Sequence, residues 1–407
     1  MAHGGLALGR DKGGRAIFVP FAIPGETVLV RVPDDKRGFA RAELLEVVQP
    51  SPDRATPRCR HFGICGNCHF QHMTYEAELQ AKESAVRDQL TRVGGLKNPP
   101  LRPILPAAAS YDYRAEGVLF PAEEGGLGYW SPVEQRIFRA EECPILQPAL
   151  EAALPDLDVE LPGLRRLTLR LGDDEELLAA LEVEGVEPPE LAVDFPVSVS
   201  IILPDRTAAS LIGDPYLLRS VGEREFRFSP GVPYPINAAA AELLAGAIVE
   251  LAEIGAGDTV LESPGGAGWL TAALAERAGS VGPGGQVIAI EPNPDAVADA
   301  AENLDTFDNV AIYQGTEDEV FPALETEPDV LVLRPGVSRP EDGLSPAAFR
   351  LLERLHPRRR IVLAAEVGTL AKDAKRLIKM GYRPSAFQPI DLNPQAFPVE
   401  VISLWRK

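Results

Sequence analysis

The sequence predicts a multidomain α/β protein: a small β-barrel, an α+β domain gathered around cysteines, and a parallel α/β domain. Three observations predict it. Residues 1–57 alternate short β-rich runs with Pro and Gly turns and show no helical period. All four cysteines of the chain lie between residues 59 and 143. From residue 231 onward, apolar runs of strand length alternate with amphipathic stretches of helical period. A chain of 407 residues with 45% hydrophobic content has room for two or three domains with real cores. The divisions expected are 1–57, 58–230 and 231–407.

In the first domain, Ala16-Ile17-Phe18-Val19-Pro20 and Glu26-Thr27-Val28-Leu29-Val30-Arg31-Val32 read as strands separated by the turn Pro24-Gly25. A further strand is expected over 40–48. About five such strands make a small barrel of the oligonucleotide-binding type. Arg10, Lys12, Arg15, Lys36, Arg37 and Arg41 give this end a local basic character, which is equally the solvated face of any small barrel.

The second domain opens on Cys59-Arg60-His61-Phe62-Gly63-Ile64-Cys65-Gly66-Asn67-Cys68-His69-Phe70-Gln71-His72. Cys59, Cys65 and Cys68 form C-x5-C-x2-C, and Cys143 follows in Glu142-Cys143-Pro144. Two thiolates two residues apart grip one centre from a single turn. A third upstream and a distant fourth complete a tetrahedral set. Four thiolates suit zinc and iron–sulfur chemistry alike. Buried structural cysteines are the plainer reading. A helix is expected over 75–93, with heptad-like apolar positions, stopped by Gly94-Gly95. Strands are expected over 113–120, 126–130, 164–171, 177–183, 197–203 and 225–228, with a loop at 184–191 around Pro188-Pro189.

The third domain starts with a helix over 237–251. Strands follow at 259–262, 287–291, 310–313, 329–333, 360–364 and 399–405, with helices at 269–278, 294–304, 346–355 and 369–379. Parallel strands with right-handed crossovers are the expected architecture. Val260-Leu261-Glu262-Ser263-Pro264-Gly265-Gly266-Ala267-Gly268 is a strand, an acid and a glycine turn opening a helix. Gly266 and Gly268 let backbone approach a ligand, and Glu291 ends the next strand, where an acid suits ribose hydroxyls. The arrangement fits a dinucleotide or S-adenosylmethionine. A purely structural turn is the bland alternative.

Composition bounds the partners. With 60 acids against 40 bases the formal net charge is −20, so any contact with RNA must be local. No apolar run is long enough to span a bilayer, and the start Met1-Ala2-His3-Gly4-Gly5 lacks the charged-then-apolar design of a signal. The expectation is a cytoplasmic protein, away from membranes and monomeric.

The whole chain resembles the RNA uracil-C5 methyltransferases, which form 5-methyluridine in ribosomal and transfer RNA. Ile17-Phe18-Val19-Pro20 and Ile23-Pro24-Gly25-Glu26 resemble the family's TRAM domain. The spacing of Cys59, Cys65 and Cys68, with His72 and Glu142-Cys143-Pro144-Ile145-Leu146, resembles its iron–sulfur site. Gly368-Thr369-Leu370-Ala371-Lys372-Asp373, Gly381-Tyr382 and Val399-Glu400 resemble its C-terminal motifs. The resemblance implies an N-terminal barrel of TRAM type, a [4Fe–4S] cluster on the four cysteines with zinc as the alternative, and a Rossmann-like class I methyltransferase domain. It also implies S-adenosylmethionine at Glu262, Gly266, Gly268 and Glu291, Glu400 as the base, and structured RNA as partner.

The family reaction begins with a cysteine thiolate adding to C6 of uracil, because C5 alone is too weak a nucleophile. Here the family's Ser-Cys-Asn-Pro-like turn reads Ala364-Ala365-Glu366-Val367, which places Ala365 at the nucleophile position. The Asp-Pro-Pro-Arg-like motif reads Arg334-Pro335-Gly336-Val337, and the cofactor-facing Gln becomes Pro235. The expectation is a member that keeps the scaffold and cluster and has lost 5-methyluridine chemistry. Pro235 and Arg334 count against a conventional S-adenosylmethionine pocket. The alternatives are an RNA-binding or assembly protein without catalysis, and an iron–sulfur-responsive regulator.

Overall fold

The computed structural model describes residues 1–2, 4–32, 38–123, 125–157, 159, 161–185, 196–204, 207–324, 327–335, 343–354 and 360–407. Lys36, Arg37, the prolines of the 184–191 loop, Gly336-Val337 and the end of the 346–355 helix lie outside the described residues.

The N-terminal strands are β1 (Ala7–Arg10), β2 (Ala16–Val19), β3 (Thr27–Arg31), β4 (Phe39–Arg41) and β5 (Glu43–Gln49). They divide into a three-stranded sheet, β1-β2-β4, and the antiparallel pair β3-β5. The single strand expected over 40–48 is therefore two. Ala42 interrupts it, donating its N–H to the Phe18 carbonyl at 2.9 Å, so that β4 and β5 join different sheets. The core between them is small: Ala7, Ile17, Val19, Ala22, Ala40 and Ala42, with Val28, Val30 and Leu44 against it. So little apolar surface is marginal by itself. A buried ion pair reinforces it, Arg54 Nε and Nη2 donating to the two Glu26 oxygens at 2.6 and 2.7 Å. Glu26 also accepts from the Ile23 and Ser51 N–H groups.

Helix α1 (Tyr75–Arg92) follows, capped by Thr74, whose hydroxyl accepts from the Ala77 N–H. Its buried face differs from an apolar heptad stripe: it begins with Glu78 and Lys82 and turns apolar only at Ala85, Val86 and Leu90. Lys82 Nζ lies 2.7 Å from Glu78 Oε1, 2.7 Å from Asp391 Oδ1 and 3.0 Å from the Asn393 carbonyl. Tyr75 donates to the second Asp391 oxygen at 3.0 Å. The polar half of the helix thus finds its partners on the far end of the chain, while Val86 and Leu90 enter the C-terminal core.

The middle of the chain forms a seven-stranded sheet in the order β12-β11-β10-β9-β6-β7-β8. Its strands are β6 (Glu116–Pro121), β7 (Leu127–Ser131), β8 (Arg136–Arg139), β9 (Leu164–Leu171), β10 (Leu177–Val183), β11 (Ser198–Ile202) and β12 (Ala208–Ile212). Helix α2 (Pro148–Ala153) lies between β8 and β9, and the hairpin β13 (Leu217–Val221) with β14 (Arg224–Phe228) closes the region. Strands β8, β12 and β13 and helix α2 carry no periodic signal of their own. They are four to six residues long and exist by pairing or packing on their neighbours.

The C-terminal sheet has the order β17-β16-β15-β18-β19-β21-β20. Strands β15 (Thr259–Ser263), β16 (Gln286–Glu291), β17 (Val310–Gln314), β18 (Val330–Leu333) and β19 (Arg360–Glu366) are parallel. β21 (Glu400–Arg406) runs antiparallel between β19 and β20 (Arg383–Ile390). The helices are α3 (Ala238–Ala252), α4 (Trp269–Ser280), α5 (Pro294–Asn303), α6 (Glu317–Val320), α7 (Pro346–Arg354) and α8 (Val367–Lys379). The central strands are continuous apolar runs because both faces are covered. Leu261, Leu331, Leu333, Leu363 and Ala365 pack with α1, α7 and α8. Val260, Val332, Ala364 and Ile402 pack with α3 and α4. Strand β20 is the element the sequence conceals. Pro384 and Pro389 disguise it, and they are tolerated because β20 is an edge strand with a register shift between Pro384 and Ala386. Among the described residues no helix is long and apolar enough to cross a membrane.

Candidate functional site

The four cysteines separated in sequence come together. Cys59, Cys65, Cys68 and Cys143 line one cavity with His61, Tyr129 and Glu142. The 59–72 loop is folded by its own backbone: Phe62 N–H donates to the Cys59 carbonyl, and Cys65 N–H to the His61 carbonyl. It is tied to the distant Cys143 segment through Arg60, whose Nε donates to Glu142 Oε2 at 2.9 Å. Cys59 N–H donates to the Gln71 amide oxygen and Cys143 N–H to Glu151. The thiols form no disulfide. Burial pushes Cys59 and Cys65 up to about 11 and Cys68 to about 12, and the nearby sulfurs push the same way. Such thiols stay protonated until a cation replaces the protons. Among the described residues, no three His, Cys, Asp or Glu side chains are spaced to hold a single metal ion. His72 stands behind the cavity, its ring stacked on Phe62 at 5.8 Å.

The loop also reaches the C-terminal sheet. His69 and Phe70 N–H groups both donate to the Gln395 carbonyl, at 2.7 and 3.1 Å. Gln395 N–H in turn donates to Glu78 at 2.7 Å. The connection between β20 and β21, which leads into Glu400, is thus anchored on the cysteine loop and on α1.

The second site lies at the carboxyl ends of the parallel strands, where open α/β sheets place their ligands. Glu262 is fully buried in β15. Its Oε2 accepts from the Thr271 hydroxyl at 2.6 Å, and its Oε1 has no partner among the described residues. Burial pushes its carboxyl up to about 8, against the pull of Thr271 and Arg334. Gly266 has φ 57° and Gly268 φ 88°, the left-handed region that favours glycine. A Cβ on Gly268 would sit 2.8 Å from Leu304, so this glycine is required for packing, whereas one on Gly266 would meet only open space. No side chain caps α4, which leaves its first amides facing the glycine turn. Glu291 ends β16; its two oxygens accept from the Gly266 and Asn293 N–H groups, each at 2.8 Å, and it braces the glycine turn.

Beyond this pocket stand Arg334, Glu366 and Glu400. Arg334 directly follows β18, donates its N–H to the Ser263 carbonyl at 2.9 Å, and lays its guanidinium 5.1 Å from the Trp269 ring centre. Its buried Nε has no partner among the described residues. Glu366 caps α8, accepting from the Gly368 and Thr369 N–H groups at 2.7 and 3.3 Å. Glu400 opens β21 and faces Glu366 across the strand pair. Burial pushes Glu400 up to about 7, with Arg334 pulling down and Glu366 pushing up. Ala365 lies inside β19 rather than in a turn. It is 2% exposed, and its methyl packs among Leu363, Val367 and Leu370. Pro235 lies between Tyr234, whose hydroxyl donates to the Leu171 carbonyl at 2.6 Å, and Ile236. Asn237 caps α3 and donates to the Leu392 carbonyl. Sequence reasoning missed Glu366 as a member of the site. Its position after an apolar strand and before a helix was the available signal.

The chain is similar to known proteins over almost its whole length. The sequence signature of the TRAM domain covers residues 2–45. That of protein-L-isoaspartate(D-aspartate) O-methyltransferase covers residues 232–322. An uncharacterized RNA methyltransferase of Streptomyces coelicolor is 30% identical over 431 residues, covering 99% of this chain and 90% of that one. Another from Synechocystis is 29% identical, over 98% of this chain and 92% of that one. Among solved structures, the tRNA (uracil-54, C5)-methyltransferase of Pyrococcus abyssi, crystallised with S-adenosyl-L-homocysteine, superposes with a TM-score of 0.71. It covers 98% of this chain and 100% of that one at 20% identity, a likeness of fold. A relative at 30% identity across almost the full length of both chains, together with the TRAM signature, makes the chain a member of the RNA methyltransferase family.

Proposed function

We propose that this protein binds S-adenosylmethionine and structured RNA, ribosomal or transfer, in the cytoplasm, and methylates the RNA without forming 5-methyluridine. Ala365 carries this reading. Uracil C5 needs a thiolate added at C6, and a buried alanine methyl occupies the nucleophile position. The four cysteines of the chain all line the other cavity.

Glu262 with its open oxygen, Gly266, Gly268 and the uncapped start of α4 suit the methyl donor, with Glu291 holding the turn in shape. S-adenosylmethionine supplies an electrophilic methyl group when bound. The chain divides into 1–57, a TRAM barrel that touches RNA, 58–230, the cysteine-bearing domain, and 231–407, the transferase domain. It works as a monomer.

Cys59, Cys65, Cys68 and Cys143 hold a [4Fe–4S] cluster. A zinc ion draws four sulfurs to about 3.8 Å from one another at a Zn–S distance of about 2.3 Å. Four thiols lining one cavity suit such a multi-atom centre, with zinc as the alternative. The cluster's part here is to staple the 59–72 loop to Cys143. Arg334 and Pro235 favour one second reading, a protein that binds RNA and transfers nothing.

The test combines calorimetry of anaerobically purified protein with S-adenosylmethionine and mass spectrometry of nucleosides from treated ribosomal and transfer RNA. Micromolar binding with methylated RNA free of 5-methyluridine is expected. Stoichiometric 5-methyluridine overturns the proposal, and absence of donor binding leaves the non-catalytic reading in its place.

A further inference from the structure

Strand alternation puts three carboxylates on one face of the C-terminal sheet, and Arg334, one residue past β18, joins them there over Trp269 of α4. Glu262 shares parity with Val260, Arg334 with Val332, Glu366 with Ala364, and Glu400 with Ile402. Those four apolar residues all belong to the core on the α3–α4 side. The strands involved, β15, β18, β19 and β21, are consecutive neighbours. Ala365 has the opposite parity and packs with α7 and α8. The polar groups of the site and the lost nucleophile therefore point to different sides of the sheet.

The three carboxylates are unequal. Glu366 is committed to two backbone N–H groups and Glu262 has one oxygen bonded to Thr271. Glu400 alone of the three accepts no hydrogen bond among the described residues; its neighbours act on it only through charge. Arg334, whose charge acts on it, carries a buried N–H with no acceptor among the described residues. A free proton acceptor next to an unsatisfied cationic donor is complementary to a particular group: an N–H flanked by a carbonyl. Removing that proton spreads negative charge onto the carbonyl oxygen, where a guanidinium stabilises it.

We propose that this face methylates an imide or lactam nitrogen of a nucleobase, N3 of uridine or N1 of guanosine, with Glu400 taking the proton and Arg334 facing the adjoining carbonyl oxygen. The inference rests on the donor- and RNA-binding reading above and specifies its acceptor. The balance closes without a further reactant. The N–H bond breaks and its proton goes to a Glu400 oxygen. The nitrogen electron pair bonds the methyl carbon of S-adenosylmethionine. The carbon–sulfur bond breaks, and its electron pair stays on sulfur as a neutral thioether. No thiol is needed, because the nitrogen becomes the nucleophile on deprotonation. A carboxyl held near 7 by burial is suited to the task at neutral pH. The same pair is poorly suited to an exocyclic amine, which develops no oxyanion, or to a ribose hydroxyl, a far weaker acid.

The test uses the full chain with its metal, unmodified transfer- and ribosomal-RNA transcripts, and S-adenosylmethionine carrying an isotopically labelled methyl group. Label is expected in N3-methyluridine or N1-methylguanosine, and nucleoside analysis tells the two apart. E400Q should lower kcat by about 10²–10⁴-fold, and Arg334→Ala by about 10²–10³-fold. For E400Q, donor affinity by calorimetry and RNA affinity by gel shift should stay within threefold of the parent, which a merely misfolded variant would not show. If uridine is the acceptor, transcripts with 5-fluorouridine, whose N3–H is more acidic, should recover part of the E400Q loss. Label on an exocyclic amine or ribose oxygen overturns this inference and leaves the broader reading standing. Full binding of donor and RNA with no label overturns this inference and the methyl transfer of the broader reading, and leaves the non-catalytic reading in its place. Failure to bind the donor overturns the broader reading itself.

Discussion

The cysteine cavity and the strand-end face stand at opposite extremes of how a site is encoded. Three of the four cavity cysteines sit within ten positions of sequence, and a loop closed by its own backbone bonds brings them together. The strand-end face draws single residues from four neighbouring strands, and parity along each strand decides whether they meet. The first kind of site tolerates divergence elsewhere so long as its spacing survives. The second can exchange its chemistry residue by residue while the sheet stays intact. The sequence has the cysteine spacing of the family it resembles, while the positions that the resemblance assigns to the nucleophile and the motif aspartate are Ala365 and Arg334.

The sharpest way to break this contrast is at the cysteines. The proposed cluster predicts that Cys68→Ser abolishes its absorbance and leaves the middle domain unfolded in limited proteolysis, because a bound centre's binding energy is folding energy. A variant that loses the centre and keeps native protease resistance would make the cavity a dispensable ornament.

The next largest effect is expected at Lys82, which joins the two regions. Lys82→Met leaves Glu78 and Asp391 buried without a cation, at a cost of about 3–5 kcal/mol in denaturant titration. A near-neutral result would show that the two carboxylates take up protons freely.

A smaller, pH-dependent effect belongs to the N-terminal module. Burial raises the Glu26 carboxyl, but the Arg54 pair and the Ile23 and Ser51 N–H groups outweigh it and hold Glu26 at about 2. A depressed native value means stability that is present above the ordinary carboxylate range and is lost as pH falls from about 4.5 toward 2. Glu26→Gln should remove about 2 kcal/mol at pH 7, allowing for partial solvent screening, and should flatten that acid dependence. An unchanged acid profile would locate the titration elsewhere.

The last prediction is of no effect. Ala365→Cys should yield no 5-methyluridine, because the new thiol would point into the α7–α8 core instead of toward Arg334 and Glu400. Formation of 5-methyluridine would show that strand parity does not isolate the two sides.

These regions were also unequally legible in the sequence. The four-cysteine site, the glycine turn and the alternating third domain could be read directly, because local spacing or period specifies each. The strand over 40–48 could not be read correctly, since its break at Ala42 depends on a hydrogen bond to Phe18. Strand β20 was hidden by prolines that only an edge position permits. The burial of Glu78 and Lys82 on α1 is not legible from an apolar heptad pattern, because the partner Asp391 is remote in sequence. Glu291 was read as a ribose ligand, and its commitment to the Gly266 and Asn293 amides is a matter of three-dimensional approach. Pairwise facts of this kind leave no trace in composition or period.

The buried contact between Lys82 and Asp391 spans 309 residues. At translation rates of about 5–20 residues per second, roughly 15–60 s separate the appearance of the two partners. Throughout that interval the Lys82 ammonium has Glu78 of its own helix beside it but lacks Asp391 and the Asn393 carbonyl. The helix must stay hydrated until the final strands emerge, so the front of the molecule cannot settle before its back is made. The contact that completes the burial of Lys82 thus forms only once the C-terminal strands exist.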